Sequence, residues 1–137
     1  VLPIQIATHG GVLLPGHIYF APDNFHLGVE SNGRMELSYD APENYVRPSV
    51  SYLFRSVNQV YGKGAIGVLL TCMGSDGAYE LGMMKRNGAV TITQDKESCV
   101  IYGMPCEAVK LGAATHVLPL EKIPAMLEEL VKEKESE

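Results

Sequence analysis

The sequence predicts an α/β fold: a doubly wound, mostly parallel sheet with a β-hairpin near the N-terminus and helices on both faces, in a three-layer α/β/α arrangement. Two near-continuous apolar runs, 65–71 and 89–93, have the composition of strands buried on both faces. Runs with helical periodicity alternate with them, which is typical of a parallel sheet. The Asn-Gly pair at 32–33 separates two alternating runs and indicates a hairpin turn, because both residues tolerate a positive φ.

The first half of the chain is predicted to be β structure followed by one helix. A short strand at 17–22 lies between turn residues, and the hairpin strands fall at 26–30 and 34–39. Residues 40–48 contain two prolines and little apolar content, which predicts a loop. A helix then begins after Pro48 and Ser49 and ends at 62–64. Its apolar positions follow helical spacing: Val50, Leu53, Phe54, Val57 and Tyr61.

The second half alternates strands and helices. The run 65–71 reads as a central strand, and a glycine-rich turn at 73–77 leads into a helix that ends at Asn87-Gly88. After the strand at 89–93, we expect a helix at 105–110, a short strand at 116–118 and a last helix. One stripe of that last helix is apolar: Ile123, Met126, Leu127, Leu130 and Val131. The charged tail, 132–137, is expected to fray.

Composition restricts the class of protein. The chain has 137 residues, the size of one domain, and a net charge of −5, which argues against nucleic acid or an anionic membrane as partner. No apolar run approaches the roughly 20 residues of a membrane span. Three cysteines without a Cys-x-x-Cys pair fit reduced thiols in a cytoplasmic protein, and four scattered histidines predict no metal site. The chain begins at Val1 without an initiator Met or a signal peptide, so we expect the natural start to lie upstream.

The turn at 73–77 is the candidate site, because ligands bind at the carboxyl ends of strands in open α/β sheets. The Asp76 carboxylate is placed to orient a histidine, and backbone N–H groups near Met73 are placed to face a developing oxyanion. Two structural alternatives stay open: Asp76 as the N-cap of its own helix, and Met73 as a core residue. The turn has neither the Gly-Lys-Ser/Thr of a phosphate loop nor Gly-x-Ser-x-Gly, and the residues alone favour the cap.

Four segments, in order along the chain, resemble motifs of the CheB-type chemotaxis methylesterases. Residues 71–78 are similar to Thr-Gly-Met-Gly-x-Asp-Gly-Ala, and residues 14–22 to Leu-Pro-Gly-x-x-Tyr-x-Ala-Pro. Residues 47–56 are similar to Arg-Pro-Ser-Val-Asp-x-Leu-Phe-x-Ser. Residues 98–112 are similar to Ser-Cys-Val-x-x-Gly-Met-Pro-x-x-Ala-x-x-x-Gly. The resemblance covers essentially the whole chain.

The resemblance implies a cytoplasmic serine hydrolase without cofactor or metal. Such an enzyme cleaves glutamyl methyl esters on methyl-accepting chemoreceptors and, in some members, deamidates receptor glutamines. Its Ser-His-Asp triad implies Asp76 as the triad acid and Met73 as a backbone donor of the oxyanion hole. An upstream phosphorylatable receiver domain is also implied.

The sequence departs from the family pattern at several positions, and these departures change the activity expected of the chain. The Ser-x-Gly-Gly turn and the His-Met-Pro element are not in the sequence, so residues 1–137 are expected to be a catalytic domain whose N-terminal part, with nucleophile and base, is absent. The chain alone is then inactive. Residues 8–11 look like a degenerate serine turn but fall where the family has an acidic loop, so His9 is expected on the surface. Cys72 replaces a glycine and Ser51 an aspartate.

The remaining histidines and cysteines are assigned structural roles. His17, His26 and His116 are expected to be strand or loop residues, and Cys72, Cys99 and Cys106 small buried ones.

Two other functions remain open. One is a degenerate, non-catalytic relative that binds a receptor or sensor, which Cys72 and Ser51 both suit. The other is a small α/β module that binds an anion at residues 74–78. If strands are missing from the sheet, the chain carries an uncovered edge and exposed apolar surface.

Overall fold

The computed structural model describes residues 1–136 and places strands and helices in the predicted alternation. The strands are β1 (Ile4–Ile6), β2 (Ile18–Phe20), β3 (His26–Val29), β4 (Met35–Ser38), β5 (Ile66–Leu69), β6 (Val90–Gln94) and β7 (His116–Leu118). The α-helices are α1 (Val50–Tyr61), α2 (Ala78–Arg86), α3 (Met104–Lys110) and α4 (Ile123–Glu135). Each predicted element is present, and most boundaries agree within two residues.

The sheet that positions the candidate site is parallel and three-stranded, in the order β5-β6-β7. Side chains of β5 alternate between its two faces. Leu69 packs in a core with residues of α1, α2 and α3, whereas Ile66 and Val68 pack against α4. Helices therefore cover both faces, which confirms the predicted α/β/α layering.

The N-terminal half contributes two further sheets. β3 and β4 form the predicted antiparallel hairpin, with Leu27 opposite Leu37. The turn differs from the expected one: only Gly33 has a positive φ, 77°, and Glu30 N–H donates to Arg34 O at 2.9 Å. Such a loop of three residues with a left-handed glycine is the next most common way to close a hairpin.

Three features differ from the prediction. β1 was not expected; it pairs in parallel with β2, and three residues are too few to show a period. β5, expected to be a central strand, lies at the edge of its sheet within the described residues. α4 continues to Glu135 instead of fraying from Lys132, and Lys134 Nζ donates to the Lys63 carbonyl at 2.8 Å.

The hairpin packs on α1 through a buried histidine. His26 has no exposed surface, and its ring stacks on Tyr52 with centroids 4.6 Å apart. Ser49 N–H donates to His26 Nδ1 at 3.1 Å, so the ring proton is on Nε2, which donates to Ala41 O at 3.0 Å. His26 thus fixes the backbone at the start of α1.

Replacing His26 by alanine should destabilise the fold. The variant leaves Ser49 N–H without an acceptor and opens a cavity beside Tyr52. We expect a loss of about 2–4 kcal/mol in the free energy of unfolding, measured by urea denaturation. His17→Ala is the matched control: its ring bonds to Pro15 O within its own turn and lies 6.2 Å from the Tyr19 ring, and its effect should stay within about 0.5 kcal/mol. Equal losses in the two variants would contradict this role of His26.

Candidate active site

The segment between β5 and α2 places one acid at the carboxyl edge of the parallel sheet. Residues 71–75 are exposed, whereas Asp76 is only 8% exposed. An aspartate is almost never buried this far unless its charge is compensated. The partners of its carboxylate are therefore the central feature of the site.

Both carboxylate oxygens of Asp76 accept hydrogen bonds from the loop before α1 and from the first turn of α1. Oδ1 accepts from Ser49 Oγ at 2.7 Å, from Asn44 Nδ2 at 2.8 Å and from Ser51 N–H at 3.2 Å. Oδ2 accepts from Val50 N–H at 2.6 Å. Asp76 thus satisfies amide donors that a helix leaves free at its N-terminus.

Asp76 does cap a helix N-terminus, as one structural alternative predicted, but the helix is not the one that follows it. The N-cap of α2 is Gly77, with φ 83° and no side-chain capping bond. Asp76 caps α1, a helix that begins 26 residues earlier. Gly77 is required at this junction, because a Cβ there would lie 2.5 Å from Val50 Cγ1.

These contacts keep Asp76 ionised. Burial alone would raise the pKa of its carboxyl, but hydrogen bonds from Ser49, Asn44 and Val50 N–H lower it more, and the net shift of the pKa is downward. The positive end of the α1 dipole favours the same charge. At neutral pH the site therefore holds a fixed negative charge.

Ser51 extends the network below Asp76. Its hydroxyl donates to Glu80 Oε1 at 2.7 Å and accepts from Gly77 N–H at 2.9 Å and from Asn44 Nδ2 at 3.0 Å. The absence of the family's aspartate at this position leaves no gap in the hydrogen bonding. Asn44, Ser49 and Ser51 were not predicted as site residues; the signal for Ser49 was present, but only as a helix start.

The Met73 turn is held by the segment before α3. Gly103 packs so closely on it that a Cβ would lie 2.6 Å from Cys72 O and 2.9 Å from Gly74 N. Met104 N–H donates to Cys72 O at 2.9 Å, and Cys72 forms an isolated parallel bridge with Tyr102. The Met73 side chain is 74% exposed, so the alternative prediction that Met73 is a core residue is wrong.

The cysteines are less buried than expected. Cys72 is exposed, while Cys99 and Cys106 are half-buried, so the prediction of three buried cysteines is wrong. Cys72 lies on the exposed turn that follows the last residue of β5. It does not adopt a positive φ, so the side chain that replaces the family's glycine is accommodated without backbone strain.

Asp76 and the Met73 turn line one cleft of about 450 Å³. Its walls include Asn44, Tyr45, Val46 and Met104. Asp76 is the one charged residue among the described residues that line it. A carboxylate facing a mostly apolar cleft is suited to orienting a cationic or hydrogen-donating group there.

No histidine within residues 1–136 donates to Asp76. His26 reaches it only through Ser49. His9 is exposed as predicted, with Nδ1 accepting from Leu37 N–H at 3.1 Å. Ser75 lines the cleft, and Ser98 instead bonds to Asp95 Oδ1 at 2.6 Å. Over residues 1–136, no three side chains of His, Cys, Asp or Glu are grouped to hold a metal ion, and no helix is long and apolar enough to cross a membrane.

One family model and several curated proteins match most of this chain. A family model described as CheB methylesterase matches residues 1–127. A protein-glutamate methylesterase/protein-glutamine glutaminase of Nitrosospira multiformis is 56% identical over 133 residues, which are 97% of this chain and 38% of that protein. A Geobacter metallireducens protein of the same description, numbered 4, is 58% identical over 134 residues, covering 97% of this chain and 39% of its own length.

One solved structure extends the comparison to the fold. The Thermotoga maritima CheB methylesterase catalytic domain superposes with a TM-score of 0.89 at 39% identity, covering 92% of this chain and 68% of that one. The chain spans about two fifths of the length of the curated relatives described above.

Removing the Asn44 amide should raise the pKa of Asp76 toward the usual aspartate range. Asn44→Gly is the suitable variant, because Asn44 has φ 52° and glycine keeps that backbone. The pKa is measured by NMR titration of the Asp76 carboxyl carbon. The depressed pKa makes ionised Asp76 stabilising above its unfolded pKa, so the variant should be less stable there, and the difference should shrink as pH falls through the folded pKa.

The control for this titration is Asn24→Gly. Asn24 is also left-handed, with φ 66°, but it is exposed and does not line the cleft. An Asp76 pKa that is the same in Asn44→Gly and in the unchanged chain would show that the amide does not stabilise the ionised form.

Proposed function

The chain belongs to the CheB methylesterase family, and on that premise we propose that it is the acid-bearing part of a serine hydrolase domain that cleaves glutamyl methyl esters on a protein. The observation that carries the proposal is a buried, ionised Asp76 at the wall of a cleft, fixed by four hydrogen bonds. We propose methyl-accepting chemoreceptors as the protein substrate. The relatives' description also names glutaminase activity, which supports deamidation of glutamine by the same site.

The proposed role of Asp76 is to orient an imidazole. Oδ2 accepts one hydrogen bond, from Val50 N–H, and a carboxylate oxygen has two lone pairs, so it retains capacity for a second donor. An imidazole N–H bound there is held in the tautomer whose other nitrogen takes a proton from serine. The fixed negative charge then stabilises the imidazolium that forms.

The proposed role of Met73 is to stabilise the tetrahedral intermediate through its backbone N–H. Preorganised donors lower the barrier because they need no reorientation as the oxyanion develops. The close contact of Gly103 with the turn fixes the backbone that carries this N–H. Met73 lines the cleft and its side chain is exposed. A substrate carbonyl in the cleft can therefore approach the backbone of the turn.

We propose that nucleophile and base come from a segment of the same domain outside residues 1–137. The Thermotoga maritima domain is longer than the part that this chain matches. In addition, β1 and β2 present an apolar surface, and Ile4, Ile6 and Phe20 are each more than half exposed. Such a surface suits burial by a further part of the domain.

The relatives' length also leaves room for a receiver domain upstream, since this chain covers 38% of the Nitrosospira multiformis protein. We propose a cytoplasmic location for the whole protein, as for a receptor-modifying enzyme.

The two other functions receive less support. A degenerate binding relative was suggested by Cys72 and Ser51, but Cys72 is unstrained and Ser51 completes the hydrogen bonding below Asp76. An anion site at residues 74–78 is disfavoured because the ionised Asp76 lies in that segment.

Hydrolysis of a methylated glutamyl protein by the longer protein tests the proposal. We expect Asp76→Asn to lower kcat on the order of 10³–10⁴-fold with KM little changed, because the imidazole loses its orienting anion. Methanol release from methylated receptor is the measurement. Asp23→Asn, in an exposed turn outside the cleft, should keep full activity.

The 137-residue chain by itself should release methanol only at the background rate. Turnover by this chain would show that it contains a nucleophile, and full activity of Asp76→Asn would remove Asp76 from the mechanism.

A further inference from the structure

A tight turn beside Asp76 has an unfavourable backbone at its tip. Glu43 and Val46 exchange both backbone hydrogen bonds, each 3.0 Å long. The two residues between them, Asn44 and Tyr45, have φ of 52° and 68°. Two consecutive left-handed residues define the hairpin turn that usually takes Asn-Gly, and the second position here is a tyrosine instead of glycine. A residue with a Cβ is strained in this conformation.

Two anchors hold the turn against α1. Arg55 bonds to both carboxylate oxygens of Glu43, at 2.6 and 3.0 Å. Asn44 donates one hydrogen to Asp76 Oδ1 at 2.8 Å and the other to Ser51 Oγ at 3.0 Å. The turn therefore has a fixed position relative to the Asp76 carboxylate.

The ring of Tyr45 gains nothing from this arrangement within the protein. Tyr45 is 100% exposed, and no hydrogen bond or ring contact engages its side chain among residues 1–136. It nevertheless lines the cleft, directly beside a residue that touches Asp76. Strained residues held in place by their surroundings are concentrated at functional sites, where the strain serves ligand binding.

We propose that Tyr45 is a specificity-determining residue that contacts the peptide segment beside the glutamyl ester. The inference rests on the proposed function and identifies how the same cleft selects its protein substrate. Val46 and Met73 continue the rim, with 42% and 74% of their surface exposed. Because these rim residues are uncharged and largely apolar, the preferred neighbours of the ester are uncharged, apolar side chains.

Physical chemistry favours a tyrosine in this role. The ring offers a large apolar surface with a polar tip, and it has few rotatable bonds to immobilise on binding. The anchored backbone lowers the entropy lost when substrate binds.

Tyr45→Gly in the longer, active protein separates substrate binding from folding. Glycine suits the left-handed φ, so the urea midpoint should rise. The probes are a short peptide with one glutamate γ-methyl ester between leucines and alanines, and N-acetylglutamate γ-methyl ester. We expect kcat/KM for the peptide to fall about 5–20-fold through KM, with the small ester little changed. Tyr45→Phe should keep a kcat/KM for the peptide close to that of the unchanged enzyme. A peptide with aspartates beside the ester should bind more weakly to the unchanged enzyme.

Two controls match the change. Asn24→Gly alters another left-handed residue outside the cleft, and Tyr61→Ala removes an exposed tyrosine at the far end of α1. Neither should alter the KM for the peptide. An unchanged KM in Tyr45→Gly, or an equal loss on both probes, overturns the inference and leaves the proposed function intact.

If the unchanged enzyme hydrolyses neither probe and releases no methanol from methylated receptor, the proposed function fails. NMR titration of the 137-residue chain with the same peptide then decides the inference separately. Shift changes at Tyr45, Val46 and Met73 support it, and unchanged signals there overturn it.

Discussion

The structure depends on one buried carboxylate that caps a helix from outside. Asp76 is the shared acceptor for Ser49, Val50 and Ser51 at the start of α1 and for the Asn44 amide. α1 in turn carries the hairpin, through a hydrogen bond from Tyr52 Oη to Glu36 Oε1 at 2.8 Å. A truncated or displaced side chain at position 76 would leave several buried donors without a partner, each at a cost of about 1–3 kcal/mol. The same bonds that hold the two halves of the fold together also keep the site acid ionised and oriented.

Much of this fold is readable from the sequence because its signals are local. The buried parallel strands are short apolar runs, and α1 shows a helical period beginning at Ser49, whose hydroxyl accepts from Tyr52 N–H. The position of Asp76 after β5 follows from the turn at the end of a buried strand, and the family resemblance adds its proposed role. In each case the residues that determine the structure lie within a few positions of each other.

The remaining features depend on contacts between distant segments. Asp76 lies 32 residues from Asn44 and 27 from Ser49. The sequence therefore predicts that Asp76 caps a helix, but it does not show which helix. The strained turn at Tyr45 has no local signal, because its second position lacks the expected glycine and its anchors, Arg55 and Asp76, come later in the chain. Cys72 was expected to be buried from its residue type, whereas the exposed turn after β5 determines its exposure.

The central proposal is that Asp76 Oδ2 receives an imidazole supplied by a segment of the longer protein. A crystal structure of the longer protein tests it most directly. The account predicts an imidazole nitrogen about 2.6–3.2 Å from Asp76 Oδ2, with the Val50 N–H bond retained. A cleft imidazole hydrogen-bonded to a different carboxylate, with Asp76 bonded only to α1 and its preceding loop, would contradict it.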